Sequence, residues 1–201
     1  VVWSKTYEVG VVSDLAYGAL GYRGYENPSF LSTPGAKDVG IEFYTFSKTF
    51  NMAGWRLAFA AGNDQMIEAL NLIQDHLFVG IFPALQEAGI AALLDPKSEE
   101  AVAQLNATYD SRRDAFVQAA AKIGWKAFPS KGSFYAWMPV PEGYTSESFA
   151  DLLLEKAHVA VAPGKGFGPA GDAYVRIGLL VEPERLVEAV DRIANLQLFN
   201  N

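Results

Sequence analysis

Apolar residues in this chain fall into short runs and helical stripes. Val9-Gly10-Val11-Val12-Ser13 is a short run rich in β-branched residues, the pattern of a strand buried within a parallel sheet. Residues 18–40, rich in Gly, Pro and Ser, read as a loop. Residues 41–46 and 56–61 give a second and third strand. Asn63 or Asp64 can cap a helix whose buried face is Ile67, Leu70, Ile73 and Leu77. Pro83 can open another helix, which stops near Asp95-Pro96. Ser98 can cap the longest helix, running to about Lys122 and ending at Gly124. Strands are then expected at 126–130, 133–140, 159–162 and 174–180, with helices over 146–157 and from Pro183.

This order divides the chain into three parts. Residues 1–96 mix strands and helices as an α/β layer does, 97–124 form a long connecting helix, and 125–201 form a compact α+β unit. No internal repeat or low-complexity segment is visible. The opening residues Val1 to Lys5 carry no cap and no turn signal. They read like a helix cut open, so the expectation is a fragment of a longer chain.

Composition narrows the function. Of 201 residues, 50% are hydrophobic and 19% charged, which fits a globular protein with a real core. The net charge of -7 argues against nucleic acid or an anionic membrane as the main partner. Without cysteine there is neither a disulfide nor a thiolate zinc site. His76 and His158 are far apart and have no partners at ligand spacing, so no metal is expected. No apolar run reaches the roughly 18–20 residues of a membrane span, and no signal peptide is visible. A cytoplasmic enzyme is the default expectation.

The chemistry concentrates in Thr45-Phe46-Ser47-Lys48-Thr49-Phe50-Asn51-Met52-Ala53-Gly54-Trp55-Arg56. A lone lysine near a turn is most often an ordinary surface residue. Here it ends an apolar strand, where open α/β sheets place ligands. Its amine can form an imine with an aldehyde. The hydroxyls of Thr45 and Ser47, expected on one face of a strand, and the planar fork of Arg56 can grip a phosphate. Asp14 ends the first strand as Lys48 ends the second, so both can converge on one crevice, with Tyr17 three residues on. Arg176 lies inside the apolar run Tyr174 to Leu180, where a charge is expensive unless paired. Gly166-Phe167-Gly168-Pro169-Ala170-Gly171 matches the dinucleotide pattern, but a strand follows it and Pro169 interrupts it. It reads as a loop.

The lysine segment closely resembles the cofactor-lysine signature of fold-type I pyridoxal-phosphate (PLP) enzymes, specifically class I/II aminotransferases. The resemblance runs over essentially the whole chain in order. It implies an α/β fold of the aspartate aminotransferase type: a partial large domain with a mostly parallel sheet plus a complete α+β small domain. It implies PLP held on Lys48 as a Schiff base, with Thr45, Ser47 and Arg56 at the phosphate. Asp14 would face the ring nitrogen, Tyr17 the 3-oxygen, and Arg176 the substrate carboxylate. Leu15 stands where the family often has Glu. Residues 131–137 resemble the small-domain strand that faces the substrate, although core packing explains its aromatics equally well.

The implied reaction exchanges an amino group between an L-amino acid and a 2-oxo acid. The family is homodimeric, and its members are roughly twice this long. The isolated chain, lacking half of the phosphate site, is expected to show little activity. The lysine segment, 131–139 and 164–168 look most like bacterial enzymes acting on aspartate, aromatic or methionine-related amino acids. Two alternatives share these residues: a PLP-dependent lyase or decarboxylase, and an aminotransferase-like sensor domain of a regulator.

Overall fold

The computed structural model describes residues 1–199. The chain divides into two compact units, Val1–Leu105 and Asn106–Asn201. The first opens with helix α1 (Val2–Tyr7) and carries strands β1 (Val11–Asp14), β2 (Gly40–Thr45) and β3 (Ala58–Gly62) in the order β1-β2-β3. β1 runs parallel to β2, with Asp14 opposite Phe43, and β3 is antiparallel to β2. The β-branched run at 9–13 predicts a strand buried on both faces. β1 is instead an edge of this sheet, and Val12 is 62% exposed. An apolar run shows that a strand can be buried, but what covers it lies outside the run.

The short helix α2 (Phe46–Thr49) follows β2 without a break. Helix α3 (Asp64–Ile73) starts where the cap chemistry predicts, with Asn63 Oδ1 accepting from Met66 N at 3.1 Å. It continues as a π turn over Gln74–Phe78. Its expected buried face is only partly realised: Ile67 and Leu70 are half-buried, whereas Ile73 and Leu77 are exposed. Helix α4 (Pro83–Leu94) has proline in its first turn, where the missing N–H costs nothing. Its Ala88 and Ala92 pack on a cluster of Phe46, Met52 and Leu57. That cluster is what seats the segment carrying Lys48.

Helix α5 (Ser98–Lys122) begins in the first unit and ends in the second. Ser98 is its first residue rather than its cap, and the Ser98 hydroxyl donates to Ala92 O at 2.7 Å. The helix stops at Gly124, whose φ is 81°. Gly124 N donates to Ala121 O (3.1 Å) and Trp125 N to Ala120 O (3.0 Å), the paired bonds of a Schellman turn. Only a residue without Cβ adopts that backbone cheaply.

The second unit holds strands β4 (Tyr135–Pro139), β5 (Ala162–Pro163) and β6 (Tyr174–Gly178), in the antiparallel order β4-β6-β5. Helix α6 (Ser146–Leu152), entered through a capping box of Thr145 and Ser148, continues as a π turn over Leu153–Ala157. Helix α7 (Pro183–Ala194) closes the unit. Ala136, Met138, Val175 and Ile177 point into a core shared with Trp125, Phe149, Leu186 and Val190. Burying each large side chain there contributes roughly 1.5–3 kcal/mol. Strand alternation puts Tyr135, Trp137 and Arg176 on the opposite face, with Trp137 directly across from Arg176.

The strand expected at 126–130 does not form. Arg113, buried in α5, donates to Ser130 O at 2.9 Å and pairs with Asp110 and Asp114. The guanidinium thus takes a carbonyl that a ladder would have used. The glycine-rich segment lies between β5 and β6 as two 3-10 turns, Gly164–Phe167 and Pro169–Ala173, and opens no α-helix, as its sequence context predicts. Among the described residues no helix is long and apolar enough to cross a membrane, and no cluster of metal-ligand residues occurs.

Candidate cofactor and substrate site

Lys48 sits in a turn held on several sides. Thr45 ends β2 in extended backbone and caps α2, its Oγ1 accepting from Ser47 N at 3.2 Å. The same hydroxyl bonds Ser47 Oγ at 2.9 Å. The two side chains therefore meet through the cap, not through strand alternation, because Ser47 is already helical. Phe46 and Thr49 are buried, leaving Ser47 and Lys48 half-buried on the outer side of the turn. The Tyr44 hydroxyl reaches Thr49 Oγ1 at 2.8 Å and ties the turn to β2.

Arg56 follows the 3-10 turn Ala53–Trp55 and adopts left-handed backbone, φ 53° and ψ 43°. A residue with a side chain held there costs about 1–3 kcal/mol, which the surrounding structure must offset. Its Nη1 donates to Ala53 O at 2.9 Å. The bend feeds directly into β3, whose Ala58 lies opposite Thr45. Thr45 Oγ1 also donates to Leu57 O at 3.4 Å. Chain geometry thus returns Arg56 to the end of β2 that carries Thr45, Ser47 and Lys48.

Asp14 is the last residue of β1 and lies at that same sheet edge, since β1 and β2 are parallel neighbours. It is exposed, and among the described residues its carboxylate has no hydrogen-bond or ion-pair partner. Tyr17 lies in the turn that follows, which the Asn27 side chain holds in place. Asn27 Nδ2 donates to Tyr17 O, Gly18 O and Leu20 O at 3.0, 3.2 and 3.2 Å. Glu42, 7% exposed, accepts from Ser13 Oγ (2.9 Å), Ser29 Oγ (2.6 Å) and Phe30 N (2.7 Å). One carboxylate so joins β1, β2 and the far end of the loop.

Glu42→Leu leaves those three donors without an acceptor. It is expected to destabilise the protein by about 2 kcal/mol, because three half-buried donors lose a charged acceptor. Glu42→Gln should cost less, since the Ser29 hydroxyl can turn and accept from the new amide. Chemical denaturation of both variants checks the order; equal midpoints would refute this role for Glu42.

Arg176 belongs to the second unit. It is half-buried, and among the described residues no carboxylate pairs with it. Its guanidinium lies over the Tyr135 ring at 4.2 Å and over the Phe167 ring at 4.3 Å.

The residues of the first unit suit a phosphate-bearing aldehyde: an amine on Lys48, paired hydroxyls, a guanidinium in a strained bend, and the exposed carboxylate of Asp14. A profile of the family described as Aminotransferase class I and II matches residues 2–193. The chain belongs to this family. Members of this aminotransferase family depend on PLP. The chain is 60% identical over 94% of its length to L-glutamine--4-(methylsulfanyl)-2-oxobutanoate aminotransferase of Bacillus subtilis, and covers 47% of that protein. It is 47% identical over 96% of its length to LL-diaminopimelate aminotransferase of Moorella thermoacetica, covering 49% of it. The apo structure of BacF from Bacillus subtilis superposes with a TM-score of 0.93 at 45% identity, covering 98% of this chain and 50% of that one.

This aminotransferase chain therefore spans about half the length of the curated relatives it matches. The solved relatives carry the aspartate aminotransferase type of fold, of which the two units form a part. Asp14, Tyr17, Thr45, Ser47, Lys48 and Arg56 all fall in the first unit, and Arg176 in the second. The supporting groups Asn27, Glu42 and Tyr44 go unnoticed in the sequence. Only Glu42 offers a signal there, as an acid between Ile41 and Phe43.

Proposed function

We propose that the protein carrying this chain is a PLP-dependent aminotransferase that exchanges an amino group between an L-amino acid and a 2-oxo acid. The observation that supports the reading is the Lys48 turn, whose Thr45 and Ser47 hydroxyls meet at 2.9 Å and which leads to Arg56 in a left-handed bend, within a chain matched by the family over residues 2–193. When bound, PLP supplies an electron-withdrawing ring that accepts charge from the substrate Cα.

This chain's residues do the rest. Lys48 Nζ anchors the cofactor covalently and, when released, moves the proton of the substrate Cα as general base and acid. Thr45 and Ser47 hydroxyls and the Arg56 guanidinium hold the phosphate. The Asp14 carboxylate keeps a proton on the ring nitrogen by its countercharge, and the Tyr17 hydroxyl donates to the 3-oxygen. Arg176 orients the substrate carboxylate through two parallel N–H bonds.

Glutamine and 4-(methylsulfanyl)-2-oxobutanoate are the first pair to test, because the relative named for them shares 60% identity. A homodimer, which the resemblance implies, and a cytoplasmic location, the default for a chain of this composition, complete the proposal. The decisive assay supplies glutamine labelled on its α-nitrogen, the oxo acid and PLP to the whole protein. Labelled methionine is expected. Release of carbon dioxide or ammonia without amino transfer would instead mark a decarboxylase or lyase.

A further inference from the structure

We infer that Tyr135 and Phe167 are positioning residues that clamp the Arg176 guanidinium flat between two rings, presenting its N–H edge to a carboxylate. The inference rests on the reading of Arg176 as the substrate-carboxylate group and goes on to say what makes it selective. The guanidinium carbon lies over the Tyr135 ring at 4.2 Å and over the Phe167 ring at 4.3 Å, so two rings from separate segments contact the one cation. A planar cation stacked between rings loses contact if it rotates, so its plane is set before any ligand arrives. The faces are occupied by carbon, which leaves the N–H donors at the edge. Among the described residues no carboxylate competes for them.

Both rings are themselves held. Tyr135 lies on the same face of β4 as Trp137, two residues apart, and Trp137 is directly across from Arg176. Trp137 meets Phe167 edge-on at 5.7 Å and stacks on Tyr174 at 5.5 Å. Phe167 comes from the 3-10 turn Gly164–Phe167, which is fastened at its other end. Lys165 N donates to the buried Ser146 Oγ at 3.2 Å, and that hydroxyl donates to Asp172 Oδ1 at 2.8 Å. Lys165 Nζ donates to Glu147 Oε2 at 2.7 Å, and this carboxylate raises the lysine's pKa. A Cβ at Gly164 would lie 2.2 Å from Gly171 O, so the turn closes against its neighbour only with glycine there. Phe167 is 54% exposed all the same, an unusual place for a large ring whose only purpose is core packing.

A carboxylate accepts both edge hydrogens of a fixed fork, whereas a carboxamide presents a donor to one of them. Pre-setting the plane therefore favours acids over their amides as well as strengthening binding.

Phe167→Leu and Tyr135→Leu in the whole protein test this, with Phe167→Tyr and Tyr135→Phe as conservative partners. Each leucine variant is expected to raise KM for the amino acid about tenfold, the scale of one partly desolvated cation–π contact. Its kcat should change less than about twofold, and its preference for the acid over the carboxamide should fall by the same factor as KM. The conservative variants keep both values. A second readout needs no turnover: the side-chain Nε–Hε NMR signal of Arg176, assigned through Arg176→Lys, should lose order in the leucine variants only. Unchanged KM and unchanged Arg176 order would overturn the inference. A protein that transfers no amino group would refute the proposed function, while the NMR order would still decide the role of the rings.

Discussion

Lys48→Ala in the whole protein is expected to lower transamination by about 10⁴-fold or more, the upper range for loss of a positioned general base, compounded by loss of the covalent anchor. The expectation follows from the turn. Phe46 and Thr49 are its buried residues, seated on Met52 and Leu57 and on the Tyr44 hydroxyl, and these contacts hold its backbone. Stability should change by no more than about 0.5 kcal/mol, as for a substitution outside the core. Lys48→Arg makes the sharper comparison. It keeps a charge, yet cannot condense with an aldehyde, and should be as inactive as alanine. Initial rates with a coupled assay, alongside thermal melts, separate chemistry from folding. Measurable activity in either variant at more than about a hundredth of wild type would count against Lys48.

Arg176→Leu is expected to raise KM for both the amino acid and the oxo acid by about 10²-fold or more. Two charge-assisted hydrogen bonds are lost, each contributing about 1.5–3 kcal/mol. Arg176→Lys should recover little of this, because a point charge on a flexible stem cannot replace a fork held between rings. The protein itself should tolerate the change. Among the described residues Arg176 has no ion pair to break, and leucine can occupy the space between Tyr135 and Phe167. Steady-state kinetics at varied amino-acid and oxo-acid concentration reads the split. A kcat loss with unchanged KM would place Arg176 elsewhere in the mechanism.

Local chemistry made much of the fold legible. Asn63 caps a helix through its side chain, Gly124 ends one because it has none, and Pro83 and Pro183 open helices because proline fits a first turn. The strand leading to Lys48 is legible too, as an apolar run, but the helical turn that ends it at Thr45 is not. What failed depended on distant partners. The run at 9–13 looks like a central strand, but Val12 lies on an edge. Ile73 and Leu77 continue a helical stripe that the described residues do not cover. Residues 126–130 have strand-like composition, yet Arg113 claims the Ser130 carbonyl.

The site divides the same way. Lys48, Arg56 and Arg176 announce themselves as charges beside apolar runs. Glu42 carries the same mark, but its meaning comes from Ser13, Ser29 and Phe30, donors from separate segments that no local pattern displays. Asn27 looks like one more loop residue until its amide is seen gathering three carbonyls under Tyr17. Thr45 and Ser47 do meet, but through a helix cap and not through the alternation of a continuing strand.

The most direct test of the account is borohydride reduction of the whole protein mixed with PLP, followed by peptide mass mapping. The prediction is a single reduced pyridoxyl phosphate adduct on the peptide containing Lys48, absent in Lys48→Ala. An adduct confined to a different lysine, or none at all on the native protein, would contradict it.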